Sequence, residues 1–172
     1  MGVLRRLKIR PRSPILMKPV KISLIGTGGT GKTTIRKALQ GLPIDPEERS
    51  PTVGVDVAKI DVNGRPAALW DLGGQERFRF LWDSFTLGTD LAVFVTDSTE
   101  ENVALTERLV ETFRRTMSAK VIALANKQDL PGAMAPSEVQ DRLGVPTFGT
   151  VAVDQNRADE LVSILARHAH KD

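Results

Sequence analysis

Short apolar runs alternate along this chain with longer segments of mixed polarity. Four of these runs are rich in β-branched and other apolar side chains, which is typical of strands in the middle of a parallel sheet. They cover residues 20–25, 91–96, 121–125 and 148–153. The pattern therefore predicts four strands that share one buried sheet.

The segments between these runs carry apolar residues at helical spacing. A long helix is expected to follow Thr99, a suitable N-cap. Its apolar face comprises Val103, Val110, Phe113 and Met117. Shorter helices are predicted at residues 32–39, 137–143 and 158–168. Because strands and helices alternate, the chain is expected to form a layered α/β domain that binds ligands at the carboxyl ends of its strands.

One pair of predicted strands interrupts this alternation. Residues 55–61 and 65–71 flank the dipeptide Asn63-Gly64. That dipeptide favours a type I′ turn, because both of its residues tolerate positive φ. The sequence therefore predicts one antiparallel hairpin beside the parallel strands.

The composition is that of an ordinary globular protein and excludes several kinds of chemistry. The chain has 172 residues, of which 41% are apolar and 26% charged, enough for one domain with a substantial core. It has no cysteine, which excludes disulfides, thiol catalysis, cysteine-ligated metals and prenylation. No apolar run approaches the roughly 20 residues that cross a bilayer. We expect a cytoplasmic protein.

The net charge of +3 is unevenly distributed. Residues 1–21 contain seven basic and no acidic side chains, so the rest of the chain carries −4. We therefore divide the chain into a basic tail, residues 1–18, and a globular domain, residues 19–172. Such a tail suits an anionic membrane surface better than nucleic acid. Arg6 departs from the myristoylation pattern. Two interpretations stay open: residues 1–21 contact a membrane, or they form a tail that does not bind one.

A phosphate-binding motif lies between the first predicted strand and the first predicted helix. Residues 26–33 read G-T-G-G-T-G-K-T and match G-x-x-x-x-G-K-[ST] in the required context. Glycine lets backbone N–H groups curl around phosphates, and the following helix directs its positive end toward them. The predicted phosphate-binding residues are Gly28, Gly29, Gly31, Lys32, Thr33 and Thr34. The Thr33 hydroxyl also suits Mg²⁺, but the motif by itself indicates only a nucleoside triphosphate.

The base is indicated by Asn126-Lys127-Gln128-Asp129, which directly follows a predicted strand. Here the sequence resembles the Ras-like small GTPases, whose guanine-binding motif is N-K-x-D. The Asp129 carboxylate can accept two hydrogen bonds from guanine, whereas adenine offers no such donor pair on that edge, so an ATPase or kinase is disfavoured. By resemblance, Asn126 braces the loop and the Lys127 stem packs over the ring.

Two further segments resemble the hydrolytic machinery of that family. In residues 70–76, W-D-L-G-G-Q-E, the resemblance implies that Asp71 holds Mg²⁺ through a water, Gly74 contacts the γ-phosphate and Gln75 orients the attacking water. In residues 50–54, Thr52 is expected to reach Mg²⁺ only in the GTP state. The implied catalytic residues are Gln75, Lys32 and Thr52, and the implied metal residues are Thr33, Thr52 and Asp71.

The weakest family segment is Thr150-Val151-Ala152. The family usually has serine or cysteine before the alanine, so Val151 departs from its pattern. The resemblance implies that Val151 and Ala152 border guanine and that the Ala152 backbone N–H contacts its carbonyl.

Within the superfamily, the chain most closely resembles the Arf and Arf-like branch. The resemblance rests on Trp70 before the aspartate and double glycine, on the P-T-V-G of residues 51–54, and on N-K-Q-D-L-P-G-A-M at residues 126–134. It implies the P-loop NTPase fold of small G proteins: three layers, a mostly parallel six-stranded sheet with one antiparallel edge strand, and about five helices. Gly28-Gly29 and Glu76-Arg77-Phe78 instead resemble Ras and Rab, which fits a prokaryotic or early-branching Arf-like protein.

The resemblance implies a monomeric, Mg²⁺-dependent switch that alternates between GTP and GDP. Exchange factors, GTPase-activating proteins and effectors are expected to bind near residues 49–56 and 72–85. Gly28 leaves room for a partner's arginine, and Arg49 is the nearest arginine of this chain, so intrinsic hydrolysis is expected to be slow. The alternative is a GTP-loaded scaffold or receptor subunit with little turnover, for which Gln75 and Thr52 would be less needed.

Overall fold

The computed structural model describes residues 18–48 and 50–169, except for the side chain of Phe78. Nearly all of the predicted basic tail, and Arg49, lie outside the described residues. Among the helices of the described part, none combines the length and the apolar character that a membrane crossing requires.

Six strands of the described chain form one sheet. They are β1 (Val20–Ile25), β2 (Val55–Asp61), β3 (Pro66–Leu72), β4 (Leu91–Thr96), β5 (Lys120–Ala125) and β6 (Thr147–Gly149). Their order is β2-β3-β1-β4-β5-β6, and only the edge strand β2 pairs in antiparallel fashion, with β3. Asn63 and Gly64 both have positive φ in the turn of this hairpin. The predicted sheet, with its single antiparallel edge strand, is confirmed.

Five α-helices flank the sheet in the described residues, as expected. They are α1 (Lys32–Leu39), α2 (Trp82–Phe85), α3 (Glu100–Thr116), α4 (Pro136–Leu143) and α5 (Ala158–His168). The Thr99 side chain caps α3 by accepting a hydrogen bond from the backbone N–H of Asn102. Two short 3₁₀ turns, Glu76–Leu81 and Gln155–Arg157, complete the architecture.

The central strands are buried on both faces, and alternate residues serve two separate cores. In β4, Leu91 and Val93 face the core shared with α1 and α5, whereas Phe94 faces the core shared with α3 and α4. Phe113 of α3 packs against Phe94 with ring centroids 5.8 Å apart. Helices on both faces leave the carboxyl edge of the sheet free for loops.

One expectation about local structure was wrong, and one element was missed. The last strand ends at Gly149 rather than 153, because Thr150 and Ala152 turn away to hydrogen bond with the Asn126 side chain. The sequence analysis also did not predict α2 or the 3₁₀ turn before it. Trp82 explains their position, since its ring is buried and its Nε1–H donates to the Gly73 carbonyl at 3.1 Å.

Candidate functional site

One cavity of about 390 Å³ opens at the carboxyl ends of the parallel strands. Its volume falls within the usual range for small-molecule sites. Most predicted site residues line it, from five separate loops. These are Gly28, Gly29, Gly31, Lys32, Thr33, Thr34, Thr52, Gly74, Gln75, Asn126, Lys127, Asp129 and Ala152. Asp71 and Val151 do not line the cavity.

The phosphate loop connects β1 to α1 and is fixed from the opposite side of the cavity. Gly31 has φ of 100°, which favours glycine, and a Cβ there would collide with the Asn126 amide. That amide donates from Nδ2 to the Thr30 carbonyl at 2.9 Å. The Lys127 Nζ donates to the Gly29 carbonyl at 2.7 Å. The two predicted binding loops are therefore joined directly to each other.

A second connection to the phosphate loop comes from α3. The Asn102 Nδ2 donates to the Thr27 hydroxyl at 2.7 Å, and its Oδ1 accepts from the buried Thr96 hydroxyl at 2.8 Å. Asn102 is itself buried. Its role was not found from the sequence, because nothing local in an amphipathic helix marks one asparagine as a contact to a loop 75 residues away.

Lys32, at the first position of α1, carries a buried ammonium group. Its side chain is 6% exposed, and Nζ donates to the Thr27 carbonyl at 2.8 Å. Burial lowers the pKa of Lys32 to about 8, and the nearby Asp71 carboxylate offsets only part of this effect. A dianionic phosphate group beside the ammonium would restore the charged form.

The predicted guanine loop follows β5, and its Asp129 carboxylate is exposed within the cavity. No group among the described residues donates a hydrogen bond to this carboxylate, so both of its oxygens remain acceptors for a ligand. Lys127 has φ of 61° and extends beside Asp129 toward the phosphate loop. The edge-on contact of Asp129 with guanine and the ring contact of the Lys127 stem stay predictions.

The segment after β6 lies against the guanine loop. The Ala152 backbone N–H donates to Asn126 Oδ1 at 3.0 Å, and the Thr150 hydroxyl donates to the same oxygen at 3.1 Å. The Ala152 N–H is thus already engaged by the protein, and its contact with guanine stays a prediction. Val153, not Val151, accompanies Ala152 in the cavity wall.

Three predicted metal residues meet beneath the phosphate loop. The Thr33 hydroxyl lies 2.8 Å from the Thr52 hydroxyl and donates to Asp71 Oδ2 at 2.7 Å. Asp71 is buried, which raises the pKa of its carboxyl group, while the Thr33 hydrogen bond and the cations Lys32 and Arg36 oppose that rise. The Asp71 Oδ1 atom is buried and has no hydrogen-bond partner among the described residues.

The two segments expected to sense the nucleotide touch each other. The Gly73 N–H donates to the Gly54 carbonyl at 2.8 Å, and a Cβ on Gly73 would lie 2.7 Å from the Thr52 carbonyl oxygen. Only glycine permits this approach. The segment that holds Thr52 is therefore in direct contact with the segment that carries Gln75.

Some residues of the cavity wall were not identified from the sequence. They are Asp45, Pro46, Glu48, Ser50, Pro51, Leu130 and Val153. Leu130 and Val153 directly follow predicted site residues, so adjacency was the available signal. Asp45 and Glu48 belong to an irregular segment without a motif, and only the folded chain shows that they reach the site.

Comparison with known proteins shows the family of the chain. The model of the ADP-ribosylation factor family matches residues 8–168. The chain is 36% identical over 135 residues to ADP-ribosylation factor-like protein 5 of Caenorhabditis elegans, which covers 76% of this chain and 75% of that protein. It is 34% identical over 137 residues to ADP-ribosylation factor-like protein 2 of Drosophila melanogaster, and this match covers 77% of this chain and 73% of that protein.

A solved structure has the same fold. The Arl6 small GTPase from Trypanosoma brucei, with the bound nucleotide analogue GppNp, aligns with a TM-score of 0.69 over 89% of this chain and 100% of that chain. The sequence identity is 20%, so this likeness concerns the fold.

Proposed function

Because the chain belongs to the ADP-ribosylation factor family of small GTPases, we propose that it is a Mg²⁺-dependent switch whose GTP hydrolysis is stimulated by a partner. Family membership establishes a GTP-binding, GTP-hydrolysing regulatory protein, as the sequence motifs predicted. The observation that carries the finer proposal is the meeting of four predicted elements around one cavity. They are the phosphate loop, the guanine loop, the Thr33–Thr52–Asp71 cluster and Gln75.

The residues beneath the phosphate loop fit Mg²⁺. They offer two hydroxyl oxygens and a carboxylate, which are ligands that this hard cation prefers. The unpartnered, buried Oδ1 of Asp71 is a ready acceptor for a metal-bound water. When bound, Mg²⁺ would neutralise charge on the β- and γ-phosphates. The hydroxyls of Thr33 and Thr52 would hold it directly, and Asp71 through water.

The residues of the chain support hydrolysis mainly by position and charge. In the proposed reaction a water attacks the γ-phosphorus, the bond from that phosphorus to the β–γ bridging oxygen breaks, and GDP and inorganic phosphate leave. Gln75 lies in the cavity wall and is proposed to orient the water. Lys32 would hold the phosphate oxygens, and its buried site makes that attraction stronger than in water.

Stimulation by a partner is supported by the open space at Gly28. Among the described residues, no atom lies within 4 Å of a Cβ built at Gly28, so a partner's arginine has room to approach the phosphates. Intrinsic turnover is expected to lie far below about 1 s⁻¹.

We propose that regulators and effectors bind the two segments expected to sense the nucleotide, near residues 49–56 and 72–85, and the hairpin between them. Large apolar side chains are exposed there, including Val53 at 68%, Val57 at 53% and Phe80 at 74%. Such a concentration of exposed apolar area is typical of interaction surfaces. A peripheral position at the inner membrane surface, through residues 1–21, is part of the same proposal and rests on the basic charge of that segment.

The proposal is tested by identifying the bound nucleotide and by single-turnover hydrolysis. The purified chain is expected to release guanine nucleotide on acid extraction. Gln75→Leu should lower hydrolysis by about 100-fold, since misplacing a reacting group costs on that order. Glu111→Leu, a change to the same side chain at an exposed position of α3, is the control and should retain full activity.

Other outcomes would separate the alternatives. Bound GTP that the wild-type chain never cleaves would favour the scaffold. Adenine nucleotide, or hydrolysis that Gln75→Leu leaves unchanged, would overturn the assigned roles of Asp129 or Gln75 respectively.

A further inference from the structure

The Asp71 carboxylate is held at only one of its two oxygens. Oδ2 accepts the Thr33 hydrogen bond at 2.7 Å, and Arg36 Nε lies 3.4 Å from the same atom. In the part of the chain that the structure describes, Oδ1 has no hydrogen-bond partner, and the residue is 1% exposed. The orientation of the carboxylate, and therefore the direction of Oδ1, depends on the two groups that bind Oδ2.

Arg36 also binds a second carboxylate. Its Nη2 lies 3.4 Å from Asp56 Oδ2 on β2, and its Nη1 donates to Gln40 Oε1 at 3.0 Å. The Arg36 side chain is 15% exposed, whereas that of Asp56 is 54% exposed. The Arg36 guanidinium thus joins α1, the end of β3 and the start of β2. Its partner on β2, Asp56, lies four residues after Thr52.

We propose that Arg36 is a positioning residue of the magnesium site, which orients the Asp71 carboxylate through Nε and anchors it to Asp56 through Nη2. The inference rests on the proposed Mg²⁺-dependent nucleotide binding and adds a residue that no motif of the sequence includes. A guanidinium suits the role because its donors diverge in one plane, so a single side chain reaches two carboxylates. A lysine offers one ammonium and cannot span both.

Two physical effects of Arg36 on Mg²⁺ have opposite signs, which makes the proposal testable. A cation near a metal site repels the metal, so its removal would tighten Mg²⁺ binding. Loss of a group that orients a metal ligand weakens binding, typically by about 10–100-fold. Arg36 contacts the same Asp71 oxygen that the Thr33 hydroxyl binds and keeps a second carboxylate beside it, so orientation is expected to be the larger effect.

The experiment measures release of a fluorescent GDP analogue from the full chain at stepped free Mg²⁺ concentrations and in excess EDTA. For Arg36→Gln, the Mg²⁺ concentration that half-maximally slows release should rise by about 10-fold. Release in EDTA should match wild type. A merely structural disturbance of the pocket would instead accelerate release in EDTA as well, and that result would overturn the proposal. An unchanged or lower Mg²⁺ requirement would do so too.

Three further variants locate the effect. Arg36→Lys should recover part of the Mg²⁺ affinity, since an ammonium can still approach Asp71. Asp56→Asn should raise the Mg²⁺ requirement in the wild-type background and have no effect beside Arg36→Gln. Equal effects in both backgrounds would remove Asp56 from the proposal. Lys59→Gln, the loss of an exposed charge on the same strand, is the matched control and should behave as wild type.

Failure of this inference can be distinguished from failure of the proposed function. If wild-type release does not respond to Mg²⁺, the proposed Mg²⁺-dependent switch fails, and the role of Arg36 fails with it. If wild type responds and Arg36→Gln responds identically, only the role of Arg36 is wrong.

Discussion

Replacing Lys32 with methionine is expected to stabilise the nucleotide-free protein while abolishing tight binding of GTP and GDP. The ammonium of Lys32 is buried, and burial lowers its pKa from 10.5 to about 8. A shift of that size corresponds to about 3.4 kcal/mol of unfavourable free energy for the charged form. The hydrogen bond from Nζ to the Thr27 carbonyl offsets roughly 1.5–3 kcal/mol of this unfavourable free energy. Methionine keeps the length of the stem, so a net gain of about 1 kcal/mol is expected at pH 7.

The pH dependence of the unfolding free energy tests the lowered pKa of Lys32 in a second way. The folded-state pKa of Lys32 lies below its unfolded value, so between pH 8 and 10.5 the unfolded chain binds more protons than the folded chain. The unfolding free energy of the wild type should therefore rise with pH, by about 2 kcal/mol between pH 7 and 9.5. Lys32→Met lacks this rise, and its advantage at pH 7 should disappear at pH 9.5.

The assay is urea denaturation of nucleotide-free protein at both pH values, with and without Mg²⁺ and GDP. Nucleotide should stabilise wild type strongly and Lys32→Met hardly at all. The reasoning is refuted if the substitution destabilises the nucleotide-free protein at pH 7, or if the two proteins keep the same stability difference at both pH values.

Two other substitutions test connections within the site. Asn102→Ala should lower the unfolding free energy by about 2–3 kcal/mol in urea titrations, because it removes the buried hydrogen-bond partner of the Thr27 and Thr96 side chains. A loss below about 0.5 kcal/mol would contradict this structural role. Gly74→Ala would place a Cβ 2.5 Å from the Gly28 nitrogen, so the segment around residue 74 must shift. Single-turnover hydrolysis should then fall by roughly 100-fold, while GDP binding is retained. Hydrolysis at the wild-type rate would show that this close approach is not needed.

Local pattern was sufficient for most of the secondary structure and for the identity of the main motifs. The bounds of β1, α1, β4 and α5 agree with those expected, because each is a continuous apolar run or an amphipathic segment with clear ends. The expected Arf-like resemblance is confirmed by the family match. Glycine and lysine spacing in the phosphate loop could also be recognised locally, since consecutive backbone groups build that loop.

Elements whose shape depends on distant partners were not predictable in the same way. The strand β6 ends early because Asn126, more than twenty residues before it, binds Thr150 and Ala152. The helix α2 follows from burial of the Trp82 ring against a core formed by other elements. Neither cause is visible in the residues of the element itself.

The sequence by itself indicated a layered α/β class through its periodicity, and a guanine nucleotide through contiguous motifs that resemble those of small GTPases. The tertiary structure alone decided how these motifs are supported. Asn102 reaches Thr27 across 75 residues, and Arg36 joins Asp56 and Asp71 across 20 and 35. Such pairs form only when the chain is packed, because their free energy comes from burial and geometry that no local segment contains.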